Sequence, residues 1–135
     1  MIEFRLDGHS KVATYMQLVQ QVRQAVRLGR LDPGDRLPTV REVAESLAIN
    51  PNTVLKAYRE LELEGLVEAR TGLGTYVRGH SGRALPNQAA LERELAAWLR
   101  KARTAGWEKE DVVAVIETTL RATYATSHGR REGAA

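Results

Sequence analysis

A chain of 135 residues with 27% charged residues, 43% hydrophobic residues and no cysteine has room for one modest domain and an appendage, and cannot build a disulfide framework or a thiolate metal site. It lacks both a run of about 18 apolar residues and a signal-peptide pattern, so a soluble, cytoplasmic protein with no membrane partner is expected. Its formal net charge is +3, and residues 1–80 hold 11 Lys+Arg against 10 Asp+Glu, an excess too small to imply a polyanionic partner from totals alone.

At the N-terminus Ile2, Phe4 and Leu6 alternate with Glu3, Arg5 and Asp7. This period of two predicts a short half-buried strand, the alternative being a frayed end. From about Val12 to Leu28 the residues Tyr15, Leu18, Val19, Val22, Ala25 and Val26 share one helical face, and Gly29 closes that helix. Leu31-Asp32-Pro33-Gly34-Asp35-Arg36 then reads as a turn.

The stretch Leu37 to Val77 is the most informative. Thr39 and Glu42 form a capping box, and Val40, Val43, Ala44 and Leu47 recur at helical spacing behind it. Ile49-Asn50-Pro51 breaks this helix and starts another, with Asn50 as N-cap and Pro51 as the first helical residue. The second helix turns Val54, Ala57, Tyr58 and Leu61 inward and Asn52, Thr53 and Lys56 outward. Two helices joined by so short a turn make a helix-turn-helix, whose second helix normally enters the major groove. Gly65 ends that helix; Leu66 to Arg70, a turn Thr71-Gly72-Leu73-Gly74, and Thr75-Tyr76-Val77 then predict a β-hairpin. A helix-turn-helix followed by a hairpin is a winged helix.

On these residues the sequence resembles the GntR family of bacterial transcription regulators. The resemblance covers about residues 11–79 and is carried by LDPGDRLPT, LPTVREVAESLAINPNTV and KAYRELELEGLVEARTGLGTYV. The NPNTV turn and the short C-terminal tail resemble the YtrA-like subfamily. The resemblance implies a sequence-specific, DNA-binding transcription regulator, expected to be a repressor, acting on a double-stranded DNA operator. Arg41 matches an arginine that family members use against DNA. Many members carry Ser-Arg where this chain has Asn50-Pro51, so one expected arginine is missing and the usual family operator need not apply.

The residue chemistry gives the rest of the candidate site. Asn52 can bridge N6 and N7 of adenine, Thr53 can meet a phosphate or a thymine methyl, and Lys56 can reach guanine or phosphate. Free backbone N–H groups at Asn50 to Thr53 and the positive helix end would favour a phosphate there. In the wing, Gly72 and Gly74 allow close backbone approach, with Arg70 and Thr75 beside them; Arg36 is a further phosphate candidate. The candidate DNA-binding set is thus Arg36, Thr39, Arg41, Asn50, Asn52, Thr53, Lys56, Arg70, Gly72, Gly74 and Thr75.

Beyond a linker at 80–85, two helices are expected at about Pro86–Arg103 and Glu108–Thr126, broken at Gly106, with a disordered tail over 128–135. Leu91, Leu95, Trp98 and Ala102 on the first, and Val112, Ile116, Leu120 and Tyr124 on the second, form apolar stripes. Helices of about 25 Å cannot hide stripes this wide on each other alone. A second copy of the chain is the economical partner, as the resemblance also implies; the alternative is packing back on the winged domain. The expected fold is therefore mainly α with a small β wing: an N-terminal winged helix-turn-helix (1–79) followed by a two-helix dimerisation hairpin (86–127), acting as a homodimer on an inverted repeat.

Other functions find little support. No phosphate-binding glycine loop follows a strand, no nucleophile elbow occurs, and the carboxylates are scattered, so no enzyme activity and no cofactor are expected. His9, His80 and His128 lie far apart and read as surface residues, not metal ligands. The competing function is a winged helix used for protein–protein contact. A small-molecule effector, if there is one, needs a pocket of about 300–1,000 Å³. Two helices of one chain are not expected to enclose that volume, so it would lie between subunits or between hairpin and winged domain, walled by Trp98, Trp107 and Tyr124. Control by protein abundance alone is the alternative.

Overall fold

Leu18, Val19, Val22 and Val26 fall on one face at helical spacing, and all four are buried in the helix they specify, α1 (Thr14–Arg27). The computed structural model describes residues 2–78 and 85–134, which fall into two units, Met1–Leu85 and Pro86–Ala135. The expected linker lies outside the described residues except for Leu85.

In the first unit α1 is followed by α2 (Val40–Leu47) and α3 (Pro51–Leu63), then by strands β1 (Val67–Arg70) and β2 (Gly74–Val77). The Thr39 hydroxyl caps α2 by accepting from the Glu42 amide at 3.0 Å. The helix leaves through Ala48 in the left-handed conformation, φ 54°, a position that an L side chain adopts at a cost. Asn50 caps α3 by accepting from the Asn52 amide at 2.8 Å, and Pro51 occupies the first turn. At the other end of α3, Gly65 adopts φ 81°. The Gly65 amide donates to Glu62 and the Leu66 amide reaches back to Leu61, the double bond of a Schellman cap.

Two surface contacts join α1 to α3 beside their buried faces. Lys56 Nζ lies 4.0 Å from the centroid of the Tyr15 ring, and the Arg23 guanidinium forks onto the Glu64 carboxylate, with Nε to Oε2 at 3.0 Å. Both pairs are 41 residues apart, so the two helices run in the same direction. Val54, Ala57, Tyr58 and Leu61 of α3 enter one core with the buried face of α1, Val43 and Ala44 of α2, and Val67 and Val77 of the hairpin.

The Tyr58 hydroxyl donates to the Pro38 carbonyl at 2.5 Å, which satisfies a buried acceptor that no ladder reaches. Desolvation of the phenol pushes its pKa well above the usual tyrosine value, with the Glu42 charge adding to the shift.

The two strands pair antiparallel with Val67 opposite Val77 and Arg70 opposite Gly74. The segment expected to be only a Pro/Gly turn does more than turn. Val77 donates to the Asp35 carbonyl at 2.7 Å, Leu37 donates to Thr75 at 2.8 Å, and Arg36 bridges to Tyr76. Residues 34–37 thereby lie along β2 on the side away from β1.

The N-terminal segment is extended but is not a strand. The alternation is still used, because Phe4 is buried in the core and Ile2 and Leu6 pack against it. Its backbone bonds to side chains in place of a neighbouring strand. The Gln21 amide accepts from Arg5 N–H at 3.0 Å and donates to Arg5 C=O at 2.6 Å, and Gln17 does the same for Asp7 at 2.9 and 3.2 Å. Four helical residues rise about 6 Å and two extended residues about 6.6 Å, so the two repeats match.

The second unit is α4 (Gln88–Thr104) and α5 (Lys109–Ala134). Gly106 turns the chain with φ 94°, and Asp111 Oδ2 accepts from the Glu108 amide at 2.8 Å to start α5. The backbone of 128–134 continues α5 where a disordered tail is expected; no proline follows Pro86 to stop it. Among the described residues, no helix is long and apolar enough to cross a membrane.

Tyr58→Phe should lower the unfolding free energy by about 1–3 kcal/mol, since the Pro38 carbonyl is left buried without a donor; the urea midpoint should fall at unchanged slope. Ala48→Gly should act in the opposite direction, raising it by about 0.5–1 kcal/mol by relieving the left-handed strain. Glu64 is held below the usual glutamate value by its hydrogen bond to Arg23. A depressed carboxylate stabilises above its unfolded pKa and loses that effect as pH falls through the folded value. The acid limb of a pH–stability curve should therefore flatten slightly in Glu64→Gln.

Candidate nucleic-acid interface

The exposed face of α3 carries Asn52 and Lys56 one turn apart, with Thr53 half-buried beside them. Arg59, a further turn along and also exposed, continues the stripe. Sequence reading passed over Arg59 because the glutamates around it dominate the late helix; the i, i+4, i+7 spacing from Asn52 was the available signal. It also passed over Tyr15, taken as plain core. Tyr15 is half-buried, and its ring carries the Lys56 ammonium, a cation–π contact that holds Lys56 at the flank of the stripe.

One expected feature is absent. The amides of Asn52 and Thr53 are not open to a phosphate, because Asn50 takes both, through Oδ1 at 2.8 Å and its carbonyl at 2.9 Å. Asn50 and Thr39 are caps, committed to α3 and α2. An anion here would meet side chains and the helix dipole, not these N–H groups.

Arg41 projects from the first turn of α2, and its Nε pairs with Glu45 at 3.1 Å while its side chain stays 88% exposed. A pair this exposed contributes little and exchanges readily.

The register of the wing sorts its residues by face. Val67, Ala69, Thr75 and Val77 point one way, toward the buried Val67 and Val77. Glu68, Arg70, Gly74 and Tyr76 point the other way, and Arg36 joins them through its bridge to Tyr76. Thr75 is thus separated from the two arginines with which it was grouped. Arg36 lies across Gly74: a Cβ built there would sit 3.0 Å from Arg36 Nε, and Gly74 has φ 122°. Arg70 stacks on Tyr76, its guanidinium carbon 4.3 Å from the ring centroid, and donates to Glu68 from Nε and Nη2 at 2.9 and 2.8 Å. At the tip, Gly72 with φ 75° is the third residue of a turn closed by Leu73 N–H to Arg70 C=O at 2.9 Å, as a type II turn requires.

In the second unit Leu91, Leu95, Trp98, Leu120 and Tyr124 are exposed, and Val112 and Ile116 are half-buried. Ala102 is the exception among the candidate interface residues, being buried within its own unit. Leu95, Trp98, Ile116, Leu120 and Tyr124 line one groove of about 400 Å³. The groove, which Thr119 and Thr123 also line, is open to the surface and is not the enclosed volume that two helices of one chain were not expected to provide. Trp107 lines a different concavity and meets Trp98 edge-on at 5.8 Å, so the three expected walls do not share one pocket. Among the described residues, no group of His, Asp and Glu could hold a metal ion.

Residues 14–77 match the family of bacterial regulatory proteins described as the gntR family. The chain is similar to the transcriptional repressor YtrA of Bacillus subtilis, 38% identical over 108 residues that cover 78% of this chain and 83% of that protein. A transcriptional regulator of Mycobacterium tuberculosis is 39% identical over 109 residues, covering 81% and 87% of the two chains. Among solved structures, YtrA from Sulfolobus acidocaldarius, a GntR-family transcription factor, aligns with a TM-score of 0.53 at 30% identity over 72% of this chain and 97% of that one.

Gly74→Ala should destabilise the wing by about 1–3 kcal/mol, because φ 122° is nearly restricted to glycine and the new methyl must push Arg36 aside. Chemical-shift changes confined to residues around Arg36, Gly74 and Tyr76, with a lowered melting temperature, are the expected result.

Proposed function

The chain belongs to the gntR family and is a YtrA-like transcription regulator with an N-terminal DNA-binding domain, and from that premise we propose that it is a cytoplasmic repressor that binds an inverted-repeat operator as a homodimer. The observation that carries this reading is the α3 stripe of Asn52, Lys56 and Arg59, exposed on a helix whose opposite face is locked into the core. Side chains on a rigid helix reach base edges at fixed spacing, which is what direct readout requires. Arg41, Arg36 and Arg70 supply flanking phosphate contacts that set orientation.

The hairpin supports the homodimer. Leu95 and Leu120 remain about half exposed, at 50% and 51%, on a face whose groove is lined by apolar side chains. A second hairpin covers such a face and, by two-fold symmetry, places two recognition helices on half-sites about one helical turn apart, roughly 34–36 Å. A small-molecule effector would have to share this face with the partner, so the second copy is the favoured occupant. DNA selection from random sequence, followed by footprinting, tests the whole reading. An inverted repeat is expected; one asymmetric half-site would overturn the symmetric arrangement. Failure to bind any duplex in low salt would point to a winged helix serving protein–protein contact.

Leu95→Glu should place a charge in the apolar seam and give a monomer in sedimentation at micromolar concentration, with the wild type a dimer. Asn52→Ala should cost roughly 1–3 kcal/mol on the selected operator and relax preference at one base pair, whereas Arg41→Ala should weaken all sequences alike and reduce the salt slope by about one.

A further inference from the structure

We propose that Glu68 is a positioning residue for DNA selection: it holds the Arg70 guanidinium against Tyr76 and suppresses sequence-independent binding by the wing. The inference rests on the DNA-binding reading above. Arg70 Nε and Nη2 both donate to the same Glu68 oxygen, at 2.9 and 2.8 Å, while the Tyr76 ring covers one face of the guanidinium at 4.3 Å. Tyr76 is itself fixed, by the Arg36 bridge on its backbone and by its hydroxyl donating to the Leu73 carbonyl at 3.3 Å. One edge of the guanidinium fork is occupied and one face is covered, and the terminal edge is not consumed by the pairing.

A mobile wing arginine would attract any duplex, because releasing counterions from a phosphate needs only charge and no particular geometry. An arginine neutralised by its own strand neighbour loses that diffuse attraction. It regains a strong interaction only where a phosphate arrives in line with the remaining edge, which happens when the rest of the unit is seated in register. Arg41 also has a carboxylate neighbour, Glu45, with Nε to Oε1 at 3.1 Å, through a single contact at 88% exposure, whereas the base-reading candidate Lys56 lies on an aromatic ring. Carboxylates therefore accompany two phosphate-reading candidates.

The test uses the full-length protein, the duplex recovered by random selection and a scrambled duplex of equal length, over a salt series. Glu68→Gln keeps the shape and removes the charge. It should tighten binding to the scrambled duplex about threefold and steepen its log–log salt dependence by about one. Operator binding should tighten by less, so that the operator-to-scrambled ratio falls. In an Arg70→Ala background the same substitution should give no gain, since the residue it restrains is gone. If the gain persists there, Glu68 acts as a plain negative charge and the proposal is wrong. It is also wrong if Glu68→Gln leaves scrambled binding and salt slope unchanged while the wild type still binds its operator. A wild type that binds neither duplex would instead remove the DNA-binding reading itself.

Discussion

Leu37 and Pro38 are the point to which the winged unit is tied. The Leu37 amide donates to Thr75 of β2 and its side chain is almost wholly buried, while the Pro38 carbonyl accepts from the Tyr58 hydroxyl of α3. Thr39, next in the chain, caps α2. Three elements thus take their position from three consecutive residues. A buried acceptor with one donor has no equally good alternative position, so these bonds couple the placement of α3 to that of β2. That matters for the proposed reading, in which base contacts from α3 and phosphate contacts from the wing are useful only at a fixed separation.

The polar groups on this frame are restrained too. Lys56 rests on Tyr15, Arg36 on Gly74, Arg70 on Tyr76 and Glu68, and Arg41 on Glu45. Each contact is weak at its level of exposure. Under the proposed DNA-binding reading, their joint effect is to narrow the rotamers available before DNA arrives, which lowers the entropy lost on binding. Long cationic side chains that swing freely would lose more, and would reward every sequence equally.

The hairpin obeys a different constraint. Among the described residues of the second unit one small hydrophobic residue, Ala102, is buried while Leu95, Trp98, Leu120 and Tyr124 remain open. An apolar face of this kind has little reason to persist on a solvated helix unless something covers it. The winged unit, by contrast, has a closed core of its own.

The sequence by itself determined whatever rests on neighbours in the chain. The Thr39 cap, the Asn50-Pro51 start, the Gly65 stop and the inward residues of α1, α2 and α3 are all decided within one or two turns, so their spacing is legible. The family motifs carried the rest of the class assignment. Tertiary structure alone decided what depends on partners far along the chain. Residues 34–37 run along β2, Gln17 and Gln21 stand in for a strand beside Arg5 and Asp7, and Thr75 parts from Arg36 and Arg70. Backbone amides at the start of α3, open by the sequence reading, are closed by Asn50. A hydrogen-bond donor carries no periodic mark of the acceptor it will meet. Hydrophobic spacing records which side of an element is buried, but only the folded chain settles what each polar group on the other side touches.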